Sequence, residues 1–366
     1  MGRNLPMREL VAGLAAAAVL LTGCGPPPAG TPTAPTSPTG TATQASPGTP
    51  SPATTAPVQS LETAYERVIS QVLPSIVQIT TSVGLGSGVV FDTNGHIVTN
   101  AHVIGEAKEM TVTIATGGSP RKARLVRSFP AGDLAVIKVD RPDGLRPATF
   151  GDSAKLRVGQ IVLAMGNPLG FSGSVTDGIV SALGRTVSEP QDPGSPGATI
   201  AGAIQTSASI NPGNSGGALV DLSGHVIGIP TLAATDPTFG GGAAPGIGFA
   251  IPSNTATDIA RQIVTHGRVT NSHRAALGIR GSTVIGADGR PSGVGVATVE
   301  PNGAAARAGI RPGDVIVSIN GKDTPTIAVL TETITTFRPG DRIRVGVRTN
   351  GDTETVTVTL GELQAN

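Results

Sequence analysis

The chain has 366 residues, 38% of them apolar and 14% charged, with a formal net charge of +1. That length accommodates two domains with accessory segments, and the near-neutral balance, without basic runs or an aromatic stacking series, gives no electrostatic case for nucleic-acid binding. Aromatics make up only 2% and tryptophan is absent, so the core must rest on Val, Ile, Leu and Ala, while a single cysteine, Cys24, excludes an internal disulfide and a cysteine-based zinc site.

Arg3 and Arg8 precede an apolar run over 10–21 that ends in Leu21-Thr22-Gly23-Cys24. The run is shorter than the ~20 residues a spanning helix needs, so residues 1–24 read as an export signal. Its end resembles a bacterial lipobox, which implies lipid on Cys24 and a protein anchored to the extracytoplasmic face of the cell membrane. Residues 25–60 then turn to Pro, Thr, Ser, Ala and Gly without charge. Such a segment has too little to bury to offset its ordering entropy and is expected to be a disordered, Pro-stiffened tether.

From residue 61 the pattern is that of folded protein. Leu61, Tyr65, Val68, Ile69 and Val72 recur at helical spacing after Ser60, the expected N-cap, and Pro74 stops the helix. Strands are expected at Ser75–Thr81, Gly86–Asp92, Gly95–Thr99, Glu109–Ala115, Lys122–Ser128 and Leu134–Val139, separated by turn signals such as Thr93-Asn94-Gly95. A second set follows at Gln160–Met165, Ser174–Leu183, Ala203–Ser207, Ala218–Asp221, Val226–Pro230 and Gly246–Ile251. Thr238–Gly248 reads as a loop bordering the cleft. A helix over Ser253–His266, with Ser253 as its cap and Gly267 as its stop, closes this region. After a polar connector, Arg268–Arg274, Asn350-Gly351 turns a final hairpin between Arg342–Arg348 and Glu354–Leu360.

Three segments carry chemistry. Ser215 lies in Asn211-Pro212-Gly213-Asn214-Ser215-Gly216-Gly217, His102 in Thr99-Asn100-Ala101-His102-Val103, and Asp133 heads Asp133-Leu134-Ala135-Val136-Ile137-Lys138-Val139. A serine hydroxyl needs an imidazole to take its proton, and the imidazole needs a carboxylate to hold its tautomer. The order His, Asp, Ser is that of chymotrypsin-like double β-barrels and differs from the orders in subtilisins and α/β-hydrolases. In that fold the amides that meet the oxyanion correspond to Gly213 and Ser215. Gly84-Leu85-Gly86-Ser87-Gly88 is not a phosphate loop, because it opens a strand and lacks a Lys-Ser/Thr ending. His96 and His225 follow turn glycines and are expected on exposed hairpins, and His266 ends a helix. None has a partner at metal-ligand spacing, so neither a metal nor another cofactor is expected.

Taken together, Gly86-Ser87-Gly88-Val89-Val90, the three segments above, Gly166-Asn167-Pro168, Gln205-Thr206 and Gly246-Ile247-Gly248-Phe249-Ala250-Ile251-Pro252 resemble the HtrA family of extracytoplasmic serine proteases. The resemblance runs from about Ser75 to the C-terminus. One departure is Ser207, where the family usually has an aspartate after Gln-Thr. The resemblance implies a mainly β chain: a trypsin-like protease domain over 61–268 and a small α+β PDZ domain over 275–362. Leu277-Gly278-Ile279 and Ala308-Gly309-Ile310-Arg311-Pro312-Gly313-Asp314 are the pieces similar to bacterial PDZ domains. Leu277, Gly278 and Ile279 then belong to the loop that captures a peptide C-terminus as an added strand. The apolar side chains Ile210 and Ile247 are expected to line the pocket for the residue whose carbonyl is attacked, favouring small or medium aliphatic residues.

The function this implies is an extracytoplasmic, membrane-tethered endopeptidase acting on misfolded or exported polypeptides, and the family resemblance also implies a homotrimer. A general base at His102 makes activity rise with pH around the ~6.5 of an ordinary histidine. The alternative is a peptide-binding, chaperone-like module in which the triad stays latent.

Overall fold

The computed structural model describes residues 56–364 apart from 83, 168–172, 190–197, 212 and 236–242. The export signal, Cys24 and most of the 25–60 tether lie outside the described residues, as do Pro168, Pro212 and the start of the loop expected from Thr238.

Helix α1 (Ala56–Val72) buries Val68 and Val72 and lays Tyr65 and Ile69 against the same core. It begins before Ser60, which is therefore not its cap. Pro57 falls in the first turn, where a missing N–H costs no helical hydrogen bond, so the helix extends N-terminally past the serine.

Six strands then close into a barrel: β1 (Ile76–Thr80), β2 (Leu85–Val90), β3 (His96–Thr99), β4 (Glu109–Ile114), β5 (Arg121–Phe129) and β6 (Leu134–Val139), in the order β1-β2-β3-β6-β5-β4. A second barrel holds β7 (Ile161–Gly166), β8 (Ser174–Glu189), β9 (Ala198–Thr206), β10 (Ala218–Asp221), β11 (Val226–Thr235) and β12 (Ala243–Pro252), in the order β10-β11-β12-β9-β8-β7. Strands β8 and β9 run beyond the expected Ser174–Leu183 and Ala203–Ser207. Their extensions pair with each other, Val187 with Ile200 and Glu189 with Ala198, so the backbone ladder carries on where the sequence turns polar.

Strand β6 explains how the barrels join. Ala135, Ile137 and Val139 point into the first barrel, while Leu134 and Val136 point the other way, into a core shared with the second barrel and with helix α3 (Ser253–His266). Strands β7 and β10 are two-faced in the same way: Leu163, Met165, Ala218 and Val220 enter the shared core, and Val162, Ala164 and Leu219 fill the second barrel. A strand buried on both faces reads as a continuous apolar run, as Leu134–Ile137 does before Lys138.

Helix α3 buries Ala256, Ile259, Ala260 and Ile263 and stops at Gly267 (φ 69°). Ser253 does not cap it. Pro252 occupies the cap position, and the Ser253 hydroxyl donates to the Gly151 carbonyl at 2.7 Å, tying the helix to the loop before β7. His96 also departs from expectation, because it is buried, with its ring 2.6 Å from the Asp92 carboxylate, whereas His225 is only half-buried.

The C-terminal domain has its own core, including Val294, Ile316, Leu330, Ile343 and Val345. Its elements are β13 (Ala275–Ala276), β14 (Ile279–Ile285), β15 (Pro291–Val299), α4 (Ala304–Arg307), β16 (Val315–Ile319), β17 (Lys322–Asp323), α5 (Ile327–Thr335), β18 (Arg342–Thr349), β19 (Asp352–Thr359) and β20 (Gly361–Glu362). The main sheet runs β14-β15-β16-β18-β19, and β13 pairs with β20. Asn350 and Gly351 both have positive φ, as a two-residue hairpin turn requires.

Candidate active site

The pairing of β3 with β6, with Thr99 opposite Ala135, brings the residues that follow one strand beside those that precede the other. His102 sits on a single helical turn, α2 (Ala101–Ile104), and Asp133 ends a 3₁₀ turn over Pro130–Gly132 in the left-handed region (φ 50°). Asp133 is almost fully buried. Its carboxylate accepts the His102 backbone N–H at 3.0 Å and the His102 ring Nδ1–H at 2.9 Å. An ionised carboxylate only accepts, so the hydrogen belongs on Nδ1 and the basic lone pair on Nε2. Asn100 fixes the turn itself, its Nδ2 donating to the Asp133 carbonyl at 2.9 Å.

Ser215 comes from the second barrel, on the turn that leads into β10. Its hydroxyl donates to the Thr231 carbonyl at 3.3 Å. The Thr231 hydroxyl in turn donates to Asp133 Oδ2. His102 and Asp133 are thus joined directly, and Thr231 touches both Asp133 and Ser215. Nothing in the local sequence marks this buried threonine, because the contact spans almost a hundred residues.

The Ser215 turn is held from both sides. Asn214 stabilises it internally: its side-chain oxygen accepts from the Asn211 amide at 3.0 Å and its Nδ2 donates to the Ser209 carbonyl at 2.9 Å. Ser87 of β2 holds it from the first barrel. The Ser87 amide donates to the Ser215 carbonyl at 3.0 Å, the Ser87 hydroxyl donates to the Gly213 carbonyl, and the Asn167 amide donates to that hydroxyl at 2.8 Å. Gly216 (φ 78°) passes so close to Ser87 that a Cβ there would lie 2.3 Å from the Ser87 carbonyl oxygen. Gly213 also has positive φ (114°). Among the described residues neither the Gly213 nor the Ser215 amide has a hydrogen-bond acceptor.

Ile210 and Ile247 do not meet on one wall. Ile210 is buried among Leu219, Ile227 and Ala250, and packs over Gly248, where a Cβ would lie 2.3 Å from it. Ile247 precedes that glycine on β12 and is 38% exposed, as strand alternation requires.

In the C-terminal domain Leu277, Gly278 and Ile279 line a groove of about 150 Å³ between the start of β14 and α5, with Ile327, Leu330 and Ile334 on the helix side. The Leu277 side chain is buried in the domain core. Its carbonyl accepts from Ala305, and Gly278 (φ 71°) accepts from Glu300. Among the described residues β14 pairs with β15 alone, and its Ile279 lines the groove. Thr326 caps α5 through its hydroxyl, accepting from the Val329 amide at 3.2 Å.

Residues 86–229 match the trypsin-like peptidase domain and residues 267–360 the PDZ domain. The chain is 40% identical over 288 residues to the periplasmic pH-dependent serine endoprotease DegQ of Escherichia coli, covering 76% of this chain and 59% of DegQ. It is 35% identical over 370 residues to the serine protease PepD of Mycobacterium tuberculosis, covering 96% of this chain and 75% of PepD. It therefore spans under two thirds of the length of DegQ. Among solved structures it resembles the HtrA-type protease AlgW bound to a decapeptide, at 32% identity and a TM-score of 0.54, covering 82% of this chain and 99% of that one. The serine endoprotease from Yersinia pestis is similar at 35% identity and a TM-score of 0.54, covering 82% and 98%.

Proposed function

The chain belongs to the HtrA family of serine proteases, and from that premise we propose that it is an extracytoplasmic endopeptidase that cleaves misfolded or exported polypeptides. The support is the hydrogen-bonded series His102, Asp133, Thr231 and Ser215, which converges from both barrels. Ser215 Oγ attacks the substrate carbonyl as His102 Nε2 takes its proton, and Asp133 stabilises the imidazolium. The amides of Gly213 and Ser215 receive the oxyanion. The tetrahedral intermediate collapses as His102 returns the proton to the leaving amine, and water, activated by the same nitrogen, releases the acyl group. Peptide C-termini bind at Leu277–Ile279 by adding a strand to β14. Lipid on Cys24 tethers the enzyme through its Pro-rich segment; no described helix is long and apolar enough to cross a membrane.

The test compares fluorophosphonate labelling and casein cleavage in the wild type and Ser215→Ala. Both are expected to vanish in the variant, with kcat reduced about 10⁶-fold. Equal cleavage by the two forms, without labelling, overturns the assignment. The Ser215 hydroxyl on the Thr231 carbonyl favours a second reading, in which the triad is latent and peptide binding is the output. Absence of labelling under every condition, with peptide binding intact, selects that reading.

A further inference from the structure

Beside the Asp133 turn lies a cavity of about 330 Å³, enclosed by that turn, the first residues of β9, helix α3 and the connector to the C-terminal domain. Its walls are mostly apolar, with Phe129, Leu134, Ile200 and Ile259 prominent. One cation reaches it. Arg274, the last residue of the connector, donates from its guanidinium to the carbonyl of Ala131, two residues before Asp133.

Among the described residues the buried Nε of that guanidinium has no hydrogen-bond partner, and no carboxylate pairs with the group. Burial lowers the Arg274 pKa to about 10, so the group is still cationic at neutral pH. The acid on the cavity wall, Asp258, is engaged elsewhere, accepting from Gln262 Nε2 at 2.8 Å and lying 3.2 Å from His273 Nε2. A desolvated cation without a counter-charge costs free energy. A largely apolar cavity of this size at a domain junction, with a few convergent polar groups, is the usual form of a small-ligand site.

We propose that this cavity is a second ligand site, taking a carboxylate carried on a compact apolar body, with the Arg274 guanidinium as counter-ion and Phe129, Leu134, Ile200 and Ile259 as the apolar wall. It adjoins the peptide groove, whose lining Arg274 shares, but its apolar wall is its own, and it rests on no catalytic assignment. Because the same guanidinium holds the Ala131 carbonyl, a bound anion is linked through Arg274 to the turn that presents Asp133.

The test is calorimetric titration of the full chain with hexanoate, with backbone amide NMR to locate the bound acid. Saturable binding is expected, with shifts concentrated at 199–201, 258–259 and 272–274, and with hexanol, the neutral analogue, about tenfold weaker or worse. Arg274→Gln keeps a donor for the Ala131 carbonyl but removes the charge. It is expected to weaken hexanoate about 10- to 100-fold and leave hexanol unaffected. The hexanoate-to-hexanol ratio on the wild type tests the charge even where that variant fails to fold. A tripeptide ending in valine, as free acid and as amide, separates sources: competition by the free acid alone assigns a peptide C-terminus, and no competition assigns a small acid. No saturation up to about 50 mM, equal binding of hexanol, unchanged affinity in Arg274→Gln, or shifts confined to the peptide groove overturns the proposal.

Discussion

Around Asp133 the chain commits most of its polar groups, and in the C-terminal groove it withholds them. The Asp133 carboxylate takes hydrogens from the His102 amide, the His102 ring and Thr231, while its backbone carbonyl is held by Asn100. Ser87 likewise commits its amide and hydroxyl to the Ser215 turn. In the groove beside α5, one edge of β14 has no partner strand. Proton transfer needs atoms held to within a fraction of an ångström, which calls for redundant hydrogen bonds. Recognition by an added strand needs donors and acceptors that nothing has yet taken. At the amides of Gly213 and Ser215, and at the buried side-chain oxygens of Asn100 and Asn167, the first region also has polar atoms without a partner among the described residues.

The sharpest way to break the first half of this contrast is Asp133→Asn. Asparagine tolerates the left-handed backbone at this position, so folding should survive, while the His102 tautomer is lost. A fall in kcat of about 10⁴-fold, measured on an unfolded protein substrate, is expected. Ser87→Ala comes next. It deprives the Gly213 carbonyl and the Asn167 amide of their partner, so the fluorophosphonate labelling rate should drop about 10- to 100-fold and the unfolding free energy by about 1–3 kcal/mol. An unaltered labelling rate contradicts the role given to that hydroxyl.

On the recognition side, Gly278→Val forces a β-branched residue into a positive-φ position in the groove wall, close to Glu300. Peptide affinity measured by fluorescence polarisation should weaken about tenfold. The smallest effect concerns the barrel rim. Burial alone would raise the Asp92 pKa, but hydrogen bonds from the His96 ring, the His96 amide and the Asn94 amide outweigh it and hold the carboxyl below its ordinary value. A depressed folded pKa contributes stability above the unfolded pKa, near 4, that disappears as pH falls through the folded value. Calorimetric melting between pH 3 and 7 should therefore show a decline below about pH 4 that Asp92→Asn flattens, with the variant less stable at neutral pH.

Much of the scaffold was legible in the chain. The strands Leu134–Val139 and Ala218–Asp221 were expected over the residues they occupy, since burial on both faces leaves the apolar runs Leu134–Ile137 and Ala218–Val220. Gly267 and Asn350-Gly351 mark stops that only a left-handed backbone supplies. The ends of β8 and β9 were not legible, because there the strand is maintained by ladder pairing and not by alternation of side chains. Ser253 was expected to cap a helix and instead bonds a distant loop, and His96 was expected outside and is buried against Asp92.

By itself the sequence determined the order of His102, Asp133 and Ser215, the glycines that let a turn present a nucleophile, and the residues that can be apolar on both faces of a strand, all of which are local properties of residue type and spacing. Only the tertiary structure decided that Thr231 bridges Asp133 and Ser215, that Ser87 fastens the Ser215 turn, that Ile210 and Ile247 face different ways, and that Arg274 reaches the Asp133 turn. The first two depend on closing the two barrels around one shared core. A hydrogen bond between segments about a hundred residues apart leaves no periodicity in either of them.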